Sequence, residues 1–326
     1  MSDKKELIDK YRMLSQSARL LCVRNTSSLG FIGLGNMGGP MAMNLLSKAK
    51  GDLWVYDVNA ESVDKAVKAG AKAASAPAEI AENCDRIVTM LPNSPHVMST
   101  FGGDQGLLAA AKAGTLFLDC STIDPAAAQT VSISSYENWV VFFMDAPVSG
   151  GVGAAAAGTL TFMVGGPAAE FEAGQSILQH MGAKIVACGE VGTGQAAKIC
   201  NNMMLGISMV GVSETYNLGK RLGLDPKILA SIVNAASGRC WASDTYNPVP
   251  GVIEGVPSSN GYAGGFGTTL MAKDLGLAQD AATNTQSPIP LGSLAHQIYR
   301  VMSSDPRFAD KDFSSVYALL SEEKLI

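Results

Sequence analysis

The 326-residue chain holds only three histidines, His96, His180 and His296, and they lie far apart in sequence. A multi-histidine metal site is not expected from them. The six cysteines (Cys22, Cys84, Cys120, Cys188, Cys200 and Cys240) show no C-x-x-C spacing. A Cys/His metal site is therefore not expected either, and the cysteines read as reduced, mostly buried thiols of a non-secreted protein. Basic residues are in the minority, 24 Lys and Arg against 29 Asp and Glu, for a net charge of −5. That balance argues against a nucleic-acid or anionic-membrane surface. No apolar run reaches the roughly 18 residues of a membrane span. Charged residues make up 16% and hydrophobic ones 47%, so the chain can bury a large core and is not disordered.

Glycine is abundant instead. Its 35 residues amount to about 11%, against a usual value of roughly 7%. No Gly-X-Y period exists, which excludes collagen. Many backbone positions must need positive φ or a close approach to something.

No acidic residue occurs from Met13 to Gly51. Within that stretch, residues 13–28 carry Arg19, Arg24, serines and interleaved apolar residues, the composition of a mitochondrial transit peptide. A disordered tail in a cytoplasmic protein is the bland alternative. The acidic residues before Met13 fit targeting poorly, so Met13 is a candidate effective start. Residues 1–28 are set aside from fold reasoning.

From residue 29 the pattern is strand, glycine turn, helix, strand. Apolar runs at Leu29–Ile32, Leu53–Tyr56, Arg86–Leu91, Leu116–Asp119 and Val140–Asp145 alternate with helical segments near Ala60–Ala69, Pro77–Asn83 and Gly106–Ala113. This predicts an α/β domain of Rossmann type, a doubly wound parallel sheet with helices on both faces. Two more strands, Thr159–Val164 and Lys184–Ala187, close it, giving an expected domain of residues 29–191. From Gln195 to Leu222 there is no proline or turn cluster, which predicts one long helix of about 28 residues. Segments near Pro226–Ala235, Thr268–Thr283, Ile289–Met302 and Ser314–Glu323 also read as helices. Residues 192–326 are thus expected to form an all-helical domain that opens with the long helix.

Gly33-Leu34-Gly35-Asn36-Met37-Gly38 follows the first strand and opens a helix. In that context G-x-G-x-x-G suits a dinucleotide: the first glycine turns tightly, the second admits the pyrophosphate, and the third packs helix on strand. The helix start offers N–H groups and a positive dipole end to phosphate. Asp57 ends the second strand 19 residues after Gly38, where an acid holds the ribose hydroxyls, so NAD is expected over NADP. A glycine turn without a ligand is the plain alternative. Ser121 and Thr122 lie beyond the Leu116–Asp119 strand, where N-capping alone would explain them. Ser149-Gly150-Gly151 offers backbone N–H groups for a carboxylate. Lys198 and Asn202 are i and i+4 on the long helix and share a face. Lys198 sits among Ala196, Ala197, Ile199 and Cys200. A lysine desolvated near a helix N-terminus should have a lowered pKa, as an acid/base group needs.

Four segments together resemble the β-hydroxyacid dehydrogenase family: Phe31–Leu45, Asp145–Gly153, Gly194–Asn202 and Ser237–Gly251. The resemblance covers about residues 29–320. It implies Lys198 as the catalytic lysine, with Asn202, Ser121 and the Ser149-Gly150-Gly151 backbone holding substrate. It further implies that Leu91, Pro92, His96 and Thr122 line the NAD site and that Lys273 reaches the cofactor. No metal is implied. The implied reaction is NAD-dependent oxidation of 3-hydroxyisobutyrate to methylmalonate semialdehyde, a step of valine breakdown, in a homodimer or homotetramer. A related enzyme of the tartronate semialdehyde or glyoxylate type, and a non-catalytic dinucleotide-binding module, are the alternatives.

Overall fold

The computed structural model describes residues 28–139 and 141–321. The segment expected to direct targeting therefore lies, up to residue 27, outside the described residues, as does Val140. The chain divides into two compact units, Met1–Lys198 and Ile199–Ile326. The division falls within one 29-residue helix, Thr193–Arg221.

The first unit is built on a nine-stranded sheet: β1 (Leu29–Ile32), β2 (Leu53–Tyr56), β3 (Lys72–Ala73), β4 (Arg86–Thr89), β5 (Leu116–Asp119), β6 (Phe142–Asp145), β7 (Val148–Ser149), β8 (Leu160–Gly165) and β9 (Gly182–Gly189). Along the sheet the order is β3-β2-β1-β4-β5-β6-β8-β7, with β9 also paired to β8. From β3 to β6 all pairs are parallel. At β8 the sheet turns antiparallel to β6 and β7. The chain runs outward from β1 to β3 and then returns to β4, so the order reverses between β1 and β4. Ligands of open α/β sheets bind at such a switch point, beyond the carboxyl ends of the strands.

Alternate strand residues feed two separate cores, as a strand period of two requires when both faces are covered. Phe31, Val88, Leu118 and Met144 join one cluster with Met41 and Leu45 of the helix Gly38–Lys48. Ile32, Ile87, Phe117 and Phe143 join the other with Val97 and Phe101. The two shortest strands had no sequence signal. Lys72 and Ala73 of β3 are both exposed, so no buried apolar side chain marks that strand, and β7 is only two residues long.

The second unit, among its described residues, is helical apart from one isolated bridge between Gly267 and Asp312. Its core gathers Met209, Tyr216, Met271, Leu275, Tyr299 and Phe313. The helices expected near Pro226–Ala235, Thr268–Thr283 and Ile289–Met302 are present as Pro226–Ala235, Thr268–Thr285 and Pro290–Ser303. No described helix is long and apolar enough to cross a membrane. The expectation of mostly buried thiols needs correction: of the described cysteines only Cys84 and Cys120 are buried, and all five are free. Cys188 lies on the exposed strand β9, and Cys200 faces outward from the long helix.

Candidate active site

The glycine turn after β1 is shaped by two different demands. A Cβ on Gly33 would stand 2.2 Å from Met90 O, and one on Gly38 would stand 1.9 Å from Gly33 O. The protein's own backbone closes both positions. Gly35 is exposed, and a Cβ there would meet nothing within 4 Å. Packing does not require glycine at 35; the close approach of a phosphate would. The helix Gly38–Lys48 starts with no side-chain cap and no acid in its first turn. Its positive end is left for an outside anion. By contrast, Asn59 and Asn93 cap the helices at Ala60 and Ser94. Asp57, at the end of β2, accepts the Leu34 N–H at 2.5 Å and the Asn59 N–H at 2.7 Å, one on each oxygen. Each oxygen keeps a second lone pair for a ribose hydroxyl.

The ends of β4 and β5 are tied together beneath this turn. Leu91 N–H donates to Ser121 Oγ at 2.8 Å. Ser121 Oγ donates to Asp119 Oδ1 at 2.6 Å, and Thr89 Oγ1 donates to the same oxygen at 2.7 Å. Asp119 is fully buried. Burial pushes its carboxyl from 3.8 up to about 6, against the bonds from Ser121 and Thr89. Its Oδ2 has no hydrogen-bond partner. Ser121 is also fully buried, and its hydroxyl proton points to Asp119, so it must rotate to donate to a ligand. Leu91 and Thr122 are half-buried, and Pro92 and His96 are exposed. His96 Nδ1 lies 2.5 Å from the capping Asn93 Oδ1.

At the end of β6, Asp145 is buried and turned toward the long helix. Its Oδ1 accepts the Gly192 N–H at 2.7 Å and its Oδ2 the Gln195 N–H at 2.8 Å. Burial pushes this carboxyl up to about 6, and those backbone bonds oppose the shift. The Gln195 amide is buried as well. Its Nε2 donates to Ser121 O at 2.7 Å, and its Oε1 accepts the Ile123 N–H at 3.1 Å. Lys198 follows one turn later, 7% exposed. The loop after β6 places Ser149 half-buried, with Gly150 and Gly151 at φ of 141° and 72°.

In the second unit, Asn202 Nδ2 donates to Asp274 Oδ2 at 2.5 Å. Asn202 Oδ1 accepts from Asn201 Nδ2 at 3.0 Å. Lys273 Nζ lies 3.2 Å from Asp274 Oδ1. One buried carboxylate therefore joins two residues of the expected site, Asn202 and Lys273. Thr89, Asp119, Asp145 and Gln195 have no role that the sequence alone suggests, whereas Asp274 is legible as the local acid beside Lys273. The usable signal is an acid closing an apolar strand, as in Leu116-Phe-Leu-Asp119 and Phe142-Phe-Met-Asp145.

Two family models match the chain. Residues 28–189 match the NAD binding domain of 6-phosphogluconate dehydrogenase. Residues 192–320 match the NAD-binding of NADP-dependent 3-hydroxyisobutyrate dehydrogenase. The mitochondrial 3-hydroxyisobutyrate dehydrogenase of Homo sapiens is 57% identical over 97% of this chain and 94% of that protein. The NAD-dependent L-serine dehydrogenase of Pseudomonas aeruginosa is 47% identical over 89% of this chain and 97% of that protein. Among solved structures, the Mycobacterium tuberculosis 3-hydroxyisobutyrate dehydrogenase with L-serine is 40% identical, with a TM-score of 0.85, over 90% of this chain and 99% of that one. On this identity and coverage, the chain belongs to the 3-hydroxyisobutyrate dehydrogenase family.

Proposed function

We propose that this protein oxidises 3-hydroxyisobutyrate to methylmalonate semialdehyde with NAD⁺, using Lys198 as the acid/base. The observation that carries the reading is Lys198 itself, a buried lysine in the first turns of a helix whose start is held by a carboxylate. The open Gly35 position, the uncapped helix behind it and Asp57 suit a dinucleotide with free ribose hydroxyls. Bound NAD⁺ supplies the hydride acceptor for the carbinol hydrogen. Lys198 Nζ takes the hydroxyl proton as the carbonyl forms and returns it in the reverse direction. The Ser149-Gly150-Gly151 backbone and Ser121 hold the carboxylate, and Asn202 orients the hydroxyl end. Leu91, Pro92, His96 and Thr122 line the cofactor, and Lys273 reaches it.

L-Serine is the second reading, favoured by its appearance in the names of two relatives. Both acids are HO–CH₂–CH(X)–COO⁻ and differ only in X, a methyl or an ammonium. Rates of NADH formation over 3-hydroxyisobutyrate, 3-hydroxypropionate, serine, threonine and tartronate separate them, with NAD⁺ and NADP⁺ in parallel. A clear preference for serine would replace the first reading and leave the hydroxyacid class standing.

The second unit exposes large apolar side chains, among them Met204, Leu218, Leu222, Ile228, Leu291 and Val301. Such surface suits burial against another copy, so this unit is proposed to build a homodimer or homotetramer, checked by light scattering. Mitochondrial import is proposed from the residue 13–28 composition and from the mitochondrial relative.

A further inference from the structure

Gln195 stands three residues before Lys198 on the same helix, so the two share a face. Its side chain is fully buried. The amide grips the backbone on both sides of Thr122, donating to Ser121 O at 2.7 Å and accepting from Ile123 N–H at 3.1 Å. A primary amide places a donor and an acceptor side by side, so it can answer a backbone C=O and a backbone N–H at once. A carboxylate offers acceptors only, and an aliphatic side chain offers neither. The backbone of the same residue is fixed too, because Gln195 N–H and Gly192 N–H both donate to Asp145. The turn that carries Lys198 is therefore held at both its main chain and its side chain. The far end of that grip is the loop of Ser121 and Thr122, where substrate and cofactor are expected.

We infer that Gln195 is a positioning residue for the reaction, setting the distance between Lys198 and the Ser121–Ile123 loop. The inference rests on the acid/base reading of Lys198. Lysine and loop belong to separate chain segments, and the Gln195 side chain links them directly. Misplacing a proton acceptor by about 1 Å can cost on the order of a hundredfold in rate. A structural role alone would lower stability and leave the turnover of folded enzyme unchanged.

Three variants test this. Gln195→Met keeps length and removes both hydrogen bonds. It should lower kcat by about 10- to 100-fold, with NADH affinity and KM for NAD⁺ within about threefold of wild type. Gln195→Glu can donate to Ser121 O only when protonated. Its activity relative to wild type should therefore rise as pH falls from about 8 to about 5. Taking the ratio removes titration common to both proteins. Lys198→Ala is measured alongside. If it retains activity, the acid/base reading falls and this inference falls with it. If Lys198→Ala is inactive while Gln195→Met turns over like wild type, or the Gln195→Glu ratio is flat with pH, Gln195 holds structure only and the inference alone is overturned. Should Gln195→Met fail to fold, the Gln195→Glu ratio decides.

Discussion

Two glycine turns of the first unit lead into helices, at Gly33–Gly38 and at Gly192–Gln195. The first helix begins without a cap or an acid, and Gly35 faces open space. The second begins with its Gly192 and Gln195 N–H groups donated to Asp145. A Cβ on Gly194 would stand 2.3 Å from Met163 O. Both turns offer the same chemistry, N–H groups at the positive end of a helix. In one no side chain caps the helix start, which leaves it open to an outside anion. In the other an internal carboxylate takes it up, so that end of the helix is fixed in place and the side chains after it are held. The Leu34 N–H of the first turn also goes to an internal acid, Asp57, but no side chain caps the start of its helix. A glycine turn before a helix therefore reads as a ligand site only where no internal acid answers the helix start itself.

Four substitutions probe this contrast, in falling order of effect. Lys198 lies just inside the fixed end, and its removal should cost the most. Lys198→Ala should lose about 10²–10⁴-fold in kcat, the contribution of a positioned acid/base group. Steady-state rates of NADH formation check this, and activity within a few-fold of wild type would remove Lys198 from the chemistry.

Asp145→Asn keeps one acceptor but turns an NH₂ toward a backbone N–H. The misfit should destabilise the first unit by about 1–3 kcal/mol, read as a lowered midpoint of urea unfolding. An unchanged midpoint would mean that the helix start does not depend on the carboxylate. Gly35→Ala adds a methyl where the protein leaves room. Stability should hold, while NADH affinity falls by about tenfold, roughly 1.4 kcal/mol. A stability loss with affinity intact would reverse the roles given to the two turns.

The last effect is a pH slope. Burial raises Asp119 from 3.8 to about 6 in the folded protein. Between those values the folded state binds more protons than the unfolded one, so this group's stabilising contribution is full below about pH 4 and is lost as pH rises toward 6. Asp119→Asn removes that titration. Its stability relative to wild type should climb on the order of 1 kcal/mol from pH 4 to 7 and stay level above. A difference that does not vary with pH would show that Asp119 does not titrate in that window.

Much of the fold was legible because apolar runs mark buried strands. The alternation of Phe31 with Ile32 and of Leu118 with Phe117 between two cores is what such runs produce when both faces are covered. β3 and β7 left no trace because two residues cannot make a pattern. In the site, the G-x-G-x-x-G turn and Lys198 stood out through spacing and apolar neighbours. The carboxylates beneath them did not, because an acid at the end of a strand looks alike whether it faces water, as at an ordinary turn, or points inward. Asp145 answers N–H groups 47 and 50 positions away, which no local window contains. Ser121 was readable as a polar loop residue, but its tie to the Leu91 N–H depends on the register that sets β4 beside β5.

NADH titration of Gly35→Ala and Lys198→Ala, side by side with the wild-type chain, is the most direct test of this division of labour. It predicts wild-type affinity for Lys198→Ala and clearly weaker binding for Gly35→Ala. Equal weakening in both, or a loss confined to Lys198→Ala, would contradict it.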